Sequence, residues 1–144
     1  MERMDRYTIL DHPADGKFQA FGATLEEAFA NAALALASLM WDWEKVEPAG
    51  SFDVEVRGHD LEQLLYLFLE DILFLAETKR FLLSSVEDVR ILSADAGYLC
   101  QAALLGDREP GRYEVHGDVK AITYHEMKVE QRSDHWLVQV VVDM

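Results

Sequence analysis

The sequence predicts an α+β domain: a mostly antiparallel or mixed β-sheet with two main helices packed on one face. Three observations carry this. Two stretches repeat apolar residues at helical spacing, and each opens on a capping residue. The segments around them alternate apolar and polar residues with the period of a strand. The order, strand, strand, helix, strand, helix and then several strands, lacks the strict alternation of a parallel α/β sheet. The 144 residues are the length of one domain, so 1–144 is read as a single unit.

Tyr7 to Leu10 is the first short strand. DHPADG (11–16) is turn material, with Pro, Asp and Gly in close succession, and KFQAFG (17–22) is a strand closed by Gly22. Thr24 with Glu27 three residues on is a capping box, and Leu25, Ala28, Phe29, Ala32, Leu36 and Met40 follow at helical spacing. SFDVEVRG (51–58) alternates as a half-buried strand. Asp60 caps a second helix over Leu61 to Ala76, with Gln63 three residues on. That helix is apolar around most of its circumference. It is expected to be packed on most sides, at the centre of the core. FLLSSVEDVRIL (81–92) and YLCQAALLG (98–106) are strands joined through SADAG (93–97), and GDREPGR (106–112) is a loop. Two last strands meet at RSDH (132–135).

Lys and Arg total 13 against 27 Asp and Glu, a net charge of −14. That argues against the basic face of a nucleic-acid-binding domain and suits cations or a basic protein surface as partner. The single cysteine, Cys100, can neither staple the chain nor build a cysteine-rich zinc site. The apolar run 61–76 carries Glu70 and Asp71 at its middle, which argues against a membrane span. A soluble, cytoplasmic protein is expected. There is no phosphate-binding Gly-Lys loop, no dinucleotide glycine motif and no HExxH-like spacing among the five histidines. Adjacent Glu70 and Asp71 point about 100° apart on a helix and do not form an acid–base pair.

The chain end poses the sharpest question. Asp143 lies at the tip of an apolar strand beside the terminal carboxylate of Met144. If the last two strands pair around Ser133–Asp134, Val129 opposes Val138, Met127 opposes Val140 and His125 opposes Val142. That register puts His125 on an apolar face and Asp143 across from Tyr124. Lys120 then lies four residues further along, roughly 13 Å away, too far to serve as counter-charge for Asp143. Two readings of Asp143 follow. It is a frayed terminus in solvent, or it holds a hard cation with the Met144 carboxylate and an acid from a loop. The best donor loop is 11–16, framed by Asp11 and Asp15. Asp-Gly is equally an ordinary hairpin turn.

The same residues carry a resemblance. HPADGKFQAFGATLEEAFANAALAL, LEQLLYLFLEDILFL, VKAITYHEMKVE and a Trp strand ending in Asp and one apolar residue resemble, in order, the motifs of the archease family. Pro13 stands where that family usually has Thr, and Asp15-Gly16-Lys17 where it has Asp, an aliphatic residue and Gly. The resemblance implies an accessory protein of an RtcB-type RNA ligase in tRNA splicing and RNA repair, promoting ligase guanylylation and multiple turnover, and not an enzyme in its own right. It implies a calcium ion, or another divalent cation, at Asp15, Asp143 and Met144, and a functional lysine at Lys120. No direct nucleic-acid contact is expected. A small metal-dependent hydrolase and a chaperone-like binding module are the alternative classes.

Overall fold

The computed structural model describes residues 5–10, 15–108 and 111–144. Its elements run β1 (Tyr7–Leu10), β2 (Asp15–Gly22), α1 (Leu25–Ser38), a 3-10 turn (Trp43–Lys45), β3 (Gly50–Gly58), α2 (Leu61–Lys79), β4 (Leu82–Ala94), β5 (Gly97–Asp107), β6 (Ala121–Ile122), β7 (Lys128–Gln131) and β8 (Trp136–Asp143). The class is α+β, as the element order predicts. The strands divide between two antiparallel sheets: one runs β1-β2-β8-β6, with β7 also on β8, and the other runs β3-β5-β4.

Both capping residues act as expected. The Thr24 hydroxyl accepts from the Glu27 amide at 3.1 Å, and Asp60 accepts from the Gln63 amide at 2.8 Å. α2 outlasts the expected Ala76 by three residues and stops at Arg80, whose left-handed backbone (φ 53°) donates its amide to the Leu75 carbonyl.

The helix at the centre of the core is α1, not α2. Every residue of α1 from Asn31 to Ala37 is buried, and the helix packs against β2 and β8 of one sheet and β4 of the other. The physical reason is side-chain size. Ala28, Ala32, Ala33, Ala35 and Ala37 are fully buried, and alanines let a helix sit close to backbone on two sides. Its one buried polar side chain, Asn31, donates to the Phe21 carbonyl at 2.7 Å, which gives its amide nitrogen an acceptor. α2 instead buries one side, through Leu64, Leu65, Phe68, Leu69, Ile72 and Leu73. It leaves Phe74 55% exposed. Phe29 and Phe68 join the two helices, ring centroids 5.8 Å apart.

β8 is buried on both faces from Leu137 to Val142. Its pairing with β7 begins as expected, with Val129 opposite Val138. It then departs from the expected register. The chain turns at Tyr124, whose carbonyl accepts from the Met127 amide, and Glu126 adopts φ 53°. Residues 123–127 leave the ladder, and the strand rejoins as β6, with Ile122 opposite Val142 and Ala121 opposite Asp143. Met127 and His125 therefore do not oppose Val140 and Val142. His125 is exposed, its Nε2 3.2 Å from Glu126 Oε2. Among the described residues, no helix is long and apolar enough to cross a membrane.

Candidate functional site

Asp15 opens β2 and Asp143 closes β8, and the two are direct cross-strand partners. Residues so placed have Cα atoms about 4.5–5.5 Å apart. The segment read as a turn through 16 is already strand at Asp15 and Gly16, because both extend the β2–β8 ladder. Asp11, His12 and Pro13 of the expected donor loop lie outside the described residues.

Two further features hold this end of the sheet. A Cβ built on Gly16 would lie 2.9 Å from Met144 Sδ, 3.0 Å from Val142 Cγ2 and 3.2 Å from Leu39 Cδ1. The Met144 side chain therefore packs over the bare Gly16 backbone beside Leu39. That seat fixes the Met144 side chain against β2. Gly16 stands where the resemblance leads one to expect an aliphatic residue, and its missing side chain makes the seat. Second, the Lys120 amide donates to the Asp143 carbonyl at 2.8 Å. The expected separation of roughly 13 Å along the strand is thus corrected: the 123–127 turn shifts the register by three residues, so that Ala121 and not Tyr124 faces Asp143, and brings Lys120 to the chain end. Asp15, Asp143, Met144 and Lys120 converge at one place.

Sequence reasoning missed the network that holds the intervening turn. Lys17 Nζ meets Glu126 Oε1 at 3.1 Å. Gln139, only 4% exposed, donates to the Glu126 carbonyl at 2.7 Å and accepts from Gln19 Nε2 at 2.9 Å. The Thr123 hydroxyl donates to the Val141 carbonyl at 2.7 Å. The signal was partly visible, since Lys17, Gln19 and Gln139 are polar residues in otherwise apolar strands. What it could not show is that they meet a loop.

Chemically, the side-chain carboxylates of Asp15 and Asp143 are hard oxygen donors, which suit calcium or magnesium better than zinc or copper. Like charges directly opposite in a ladder are unfavourable, a repulsion that a shared cation would relieve. Among the described residues, no group of three or more His, Cys, Asp and Glu side chains gathers to hold a metal; the ladder brings together two carboxylates, Asp15 and Asp143. The lone thiol lies away from these carboxylates, on β5. Cys100 is fully buried, and burial, aided by the Glu26 charge, pushes its pKa up to about 12.

The Archease protein family (MTH1598/TM1083) model matches residues 7–144. The chain is 44% identical to a protein archease of Pyrobaculum neutrophilum over 142 residues, covering 96% of this chain and 95% of that one. It is 38% identical to a protein archease of Pyrococcus furiosus, covering 98% and 100%. Its fold superposes on the solution structure of Methanobacterium thermoautotrophicum protein 1598 with a TM-score of 0.85 at 32% identity, over 98% of this chain and 100% of that one. A crystal structure from Thermotoga maritima, described as an archease and possible chaperone, shares the fold with a TM-score of 0.61 at 18% identity, over 100% of both chains. By sequence over nearly its whole length, and by fold, this chain belongs to the archease family.

Proposed function

We propose that this archease is an accessory protein of an RtcB-type RNA ligase in tRNA splicing and RNA repair. It promotes guanylylation of the ligase and multiple turnover, without catalytic activity of its own. The observation that carries the reading is the register that sets Asp15 opposite Asp143 while the Asp143 carbonyl holds the Lys120 amide. Asp15, Asp143 and the Met144 carboxylate would hold a calcium-type ion. Bound there, the ion supplies a fixed positive charge that ties β2 to β8. Asp143 does double duty: its side chain serves the ion with Asp15, and its backbone carries Lys120. Whatever steadies Asp143 therefore steadies the lysine's backbone. Lys120 is exposed and is the residue offered to the ligase.

The net charge of −14 repels phosphate backbones and attracts a basic, RNA-handling protein. The partner is therefore the ligase and not its RNA, and the setting is the cytoplasm. Nucleotide transfer depends chiefly on positioning and charge stabilisation, which an accessory domain can supply from outside the active site. The test is transfer of radiolabelled GTP to the cognate ligase. The wild-type chain should raise the rate and turn single-turnover ligation into multiple turnover. Asp15→Ala, Asp143→Ala and Lys120→Ala should not. A wild-type protein that leaves guanylylation unchanged across salt and metal conditions ends this reading.

A further inference from the structure

We propose that the exposed face of α2, from Tyr66 to Phe74 with Tyr124 laid against it, is a docking surface for an arginine-bearing basic protein surface. The inference deepens the functional reading above and rests on it for the partner's identity, though not for the chemistry of the site. Tyr66, Glu70 and Phe74 follow one another at four-residue spacing, so they form one stripe along the helix. Phe74 is 55% exposed. Tyr124, on the turn between β6 and β7, stacks on Tyr66 with ring centroids 4.3 Å apart and planes 8° from parallel. It nonetheless remains 51% exposed. Tyr66 covers one face of that ring, so the exposure belongs to the opposite face and edge.

Carboxylates flank this aromatic plate. Glu70 lies one helical turn from Tyr66 on the same stripe. Partial burial, together with the charge of Glu70, pushes the Tyr66 hydroxyl above its ordinary range; burial and the charges of Asp60 and Glu70 do the same for Tyr124. A tyrosine face is negative at its centre, and carboxylates beside it add to that field. Such a surface selects a flat cation, and a guanidinium both stacks and hydrogen-bonds where an ammonium does neither as well. The protein uses the same contact internally: Arg6, Arg108 and Arg112 lie 5.3, 5.9 and 5.5 Å from the ring centroids of Trp43, Phe52 and Tyr113. Among the described residues, no cation lies over the Tyr66–Tyr124 pair. Aromatic anchors are also the residue type that dominates binding energy in protein interfaces. Tyr124 follows Lys120 by four residues on the segment that leads out of β6.

Two measurements test this. Tetra-arginine and tetra-lysine peptides are titrated separately into isotope-labelled protein. The arginine peptide should shift the Tyr66 and Tyr124 ring signals and bind at least about threefold more tightly than the lysine peptide. Glu70→Arg, at an exposed position, should abolish both effects. Equal binding of the two peptides, or shifts confined to other acids, overturns the site. Affinity for the cognate RtcB-type ligase is then measured with Glu70→Arg and Tyr124→Ala, which should bind at least about tenfold more weakly than wild type. Full ligase affinity in both variants overturns the docking role. Arginine-selective binding together with a wild-type chain that does not bind the ligase supports the surface and refutes the ligase as its partner.

Discussion

Replacing Asp143 by asparagine should change stability with opposite sign in the presence and absence of calcium. With a chelator present, Asp143 and Asp15 oppose each other across the ladder as like charges. A cross-strand pair of this kind is worth about 0.2–1 kcal/mol. Asp143 is exposed and Asp15 half-buried, so solvent screening places the value in the lower half of that range. The carboxamide is nearly isosteric with the carboxylate, and the substitution keeps the backbone carbonyl that holds Lys120. The variant should therefore melt at the wild-type temperature or about 1–2 °C above it, taking about 3 °C per kcal/mol for a domain of this size. Calcium should reverse the order. At a hundred times its dissociation constant, a ligand that binds only the native state stabilises by about 2.7 kcal/mol, or about 8 °C. Wild type should gain that, and Asp143→Asn only a small part of it. The assay is a pair of melting curves for each protein, in chelator and over a calcium series. The reasoning is refuted if calcium moves both proteins equally, or if the variant is markedly less stable than wild type in chelator.

Lys120→Ala should fold with stability within about 0.5 kcal/mol of wild type, because its ladder contact is made by the backbone amide; calorimetry alongside the GTP-transfer assay separates fold from function. Extending the chain beyond Met144 removes the terminal carboxylate, so a C-terminal tag should weaken calcium binding by titration calorimetry while an N-terminal tag should not. Gly22→Ala should cost about 2–3 kcal/mol in a denaturant titration, since its Cβ would lie 2.3 Å from the Ala28 amide nitrogen at the start of α1. Burial, aided by Glu70, raises the Asp71 pKa above 3.8. A raised carboxyl penalises the folded state fully above its folded pKa and not at all below its unfolded one. Asp71→Asn should therefore raise the melting temperature near pH 7 relative to its effect near pH 3. Cys100 should resist thiol reagents at pH 8 in the native state and react on unfolding, as its buried, high-pKa thiol requires.

The elements themselves were legible because they are encoded locally. Thr24 and Asp60 announce their helices through hydrogen bonds made within three residues. Val129 and Val138 find each other because a short connection and an alternating pattern leave one good register. The carboxylate at the end of an apolar strand was visible as an anomaly with no local explanation. That Asp15 is its partner followed from resemblance and not from spacing, since nothing local relates residues at opposite ends of the chain.

What the tertiary structure alone decided is where long-range neighbours fall. Hydrophobic pattern ranked α2 as the core helix because it counts apolar side chains, whereas burial on two sides requires small ones, and α1 supplies the alanines. The pattern also carried the terminal hairpin straight through residues 123–127. There the Glu126 carbonyl is claimed by Gln139 and its carboxylate by Lys17, contacts from β8 and β2 that pull the turn out of the ladder. Local alternation cannot report a turn held by partners 13 and 109 residues away. That turn brings Lys120 to Asp143.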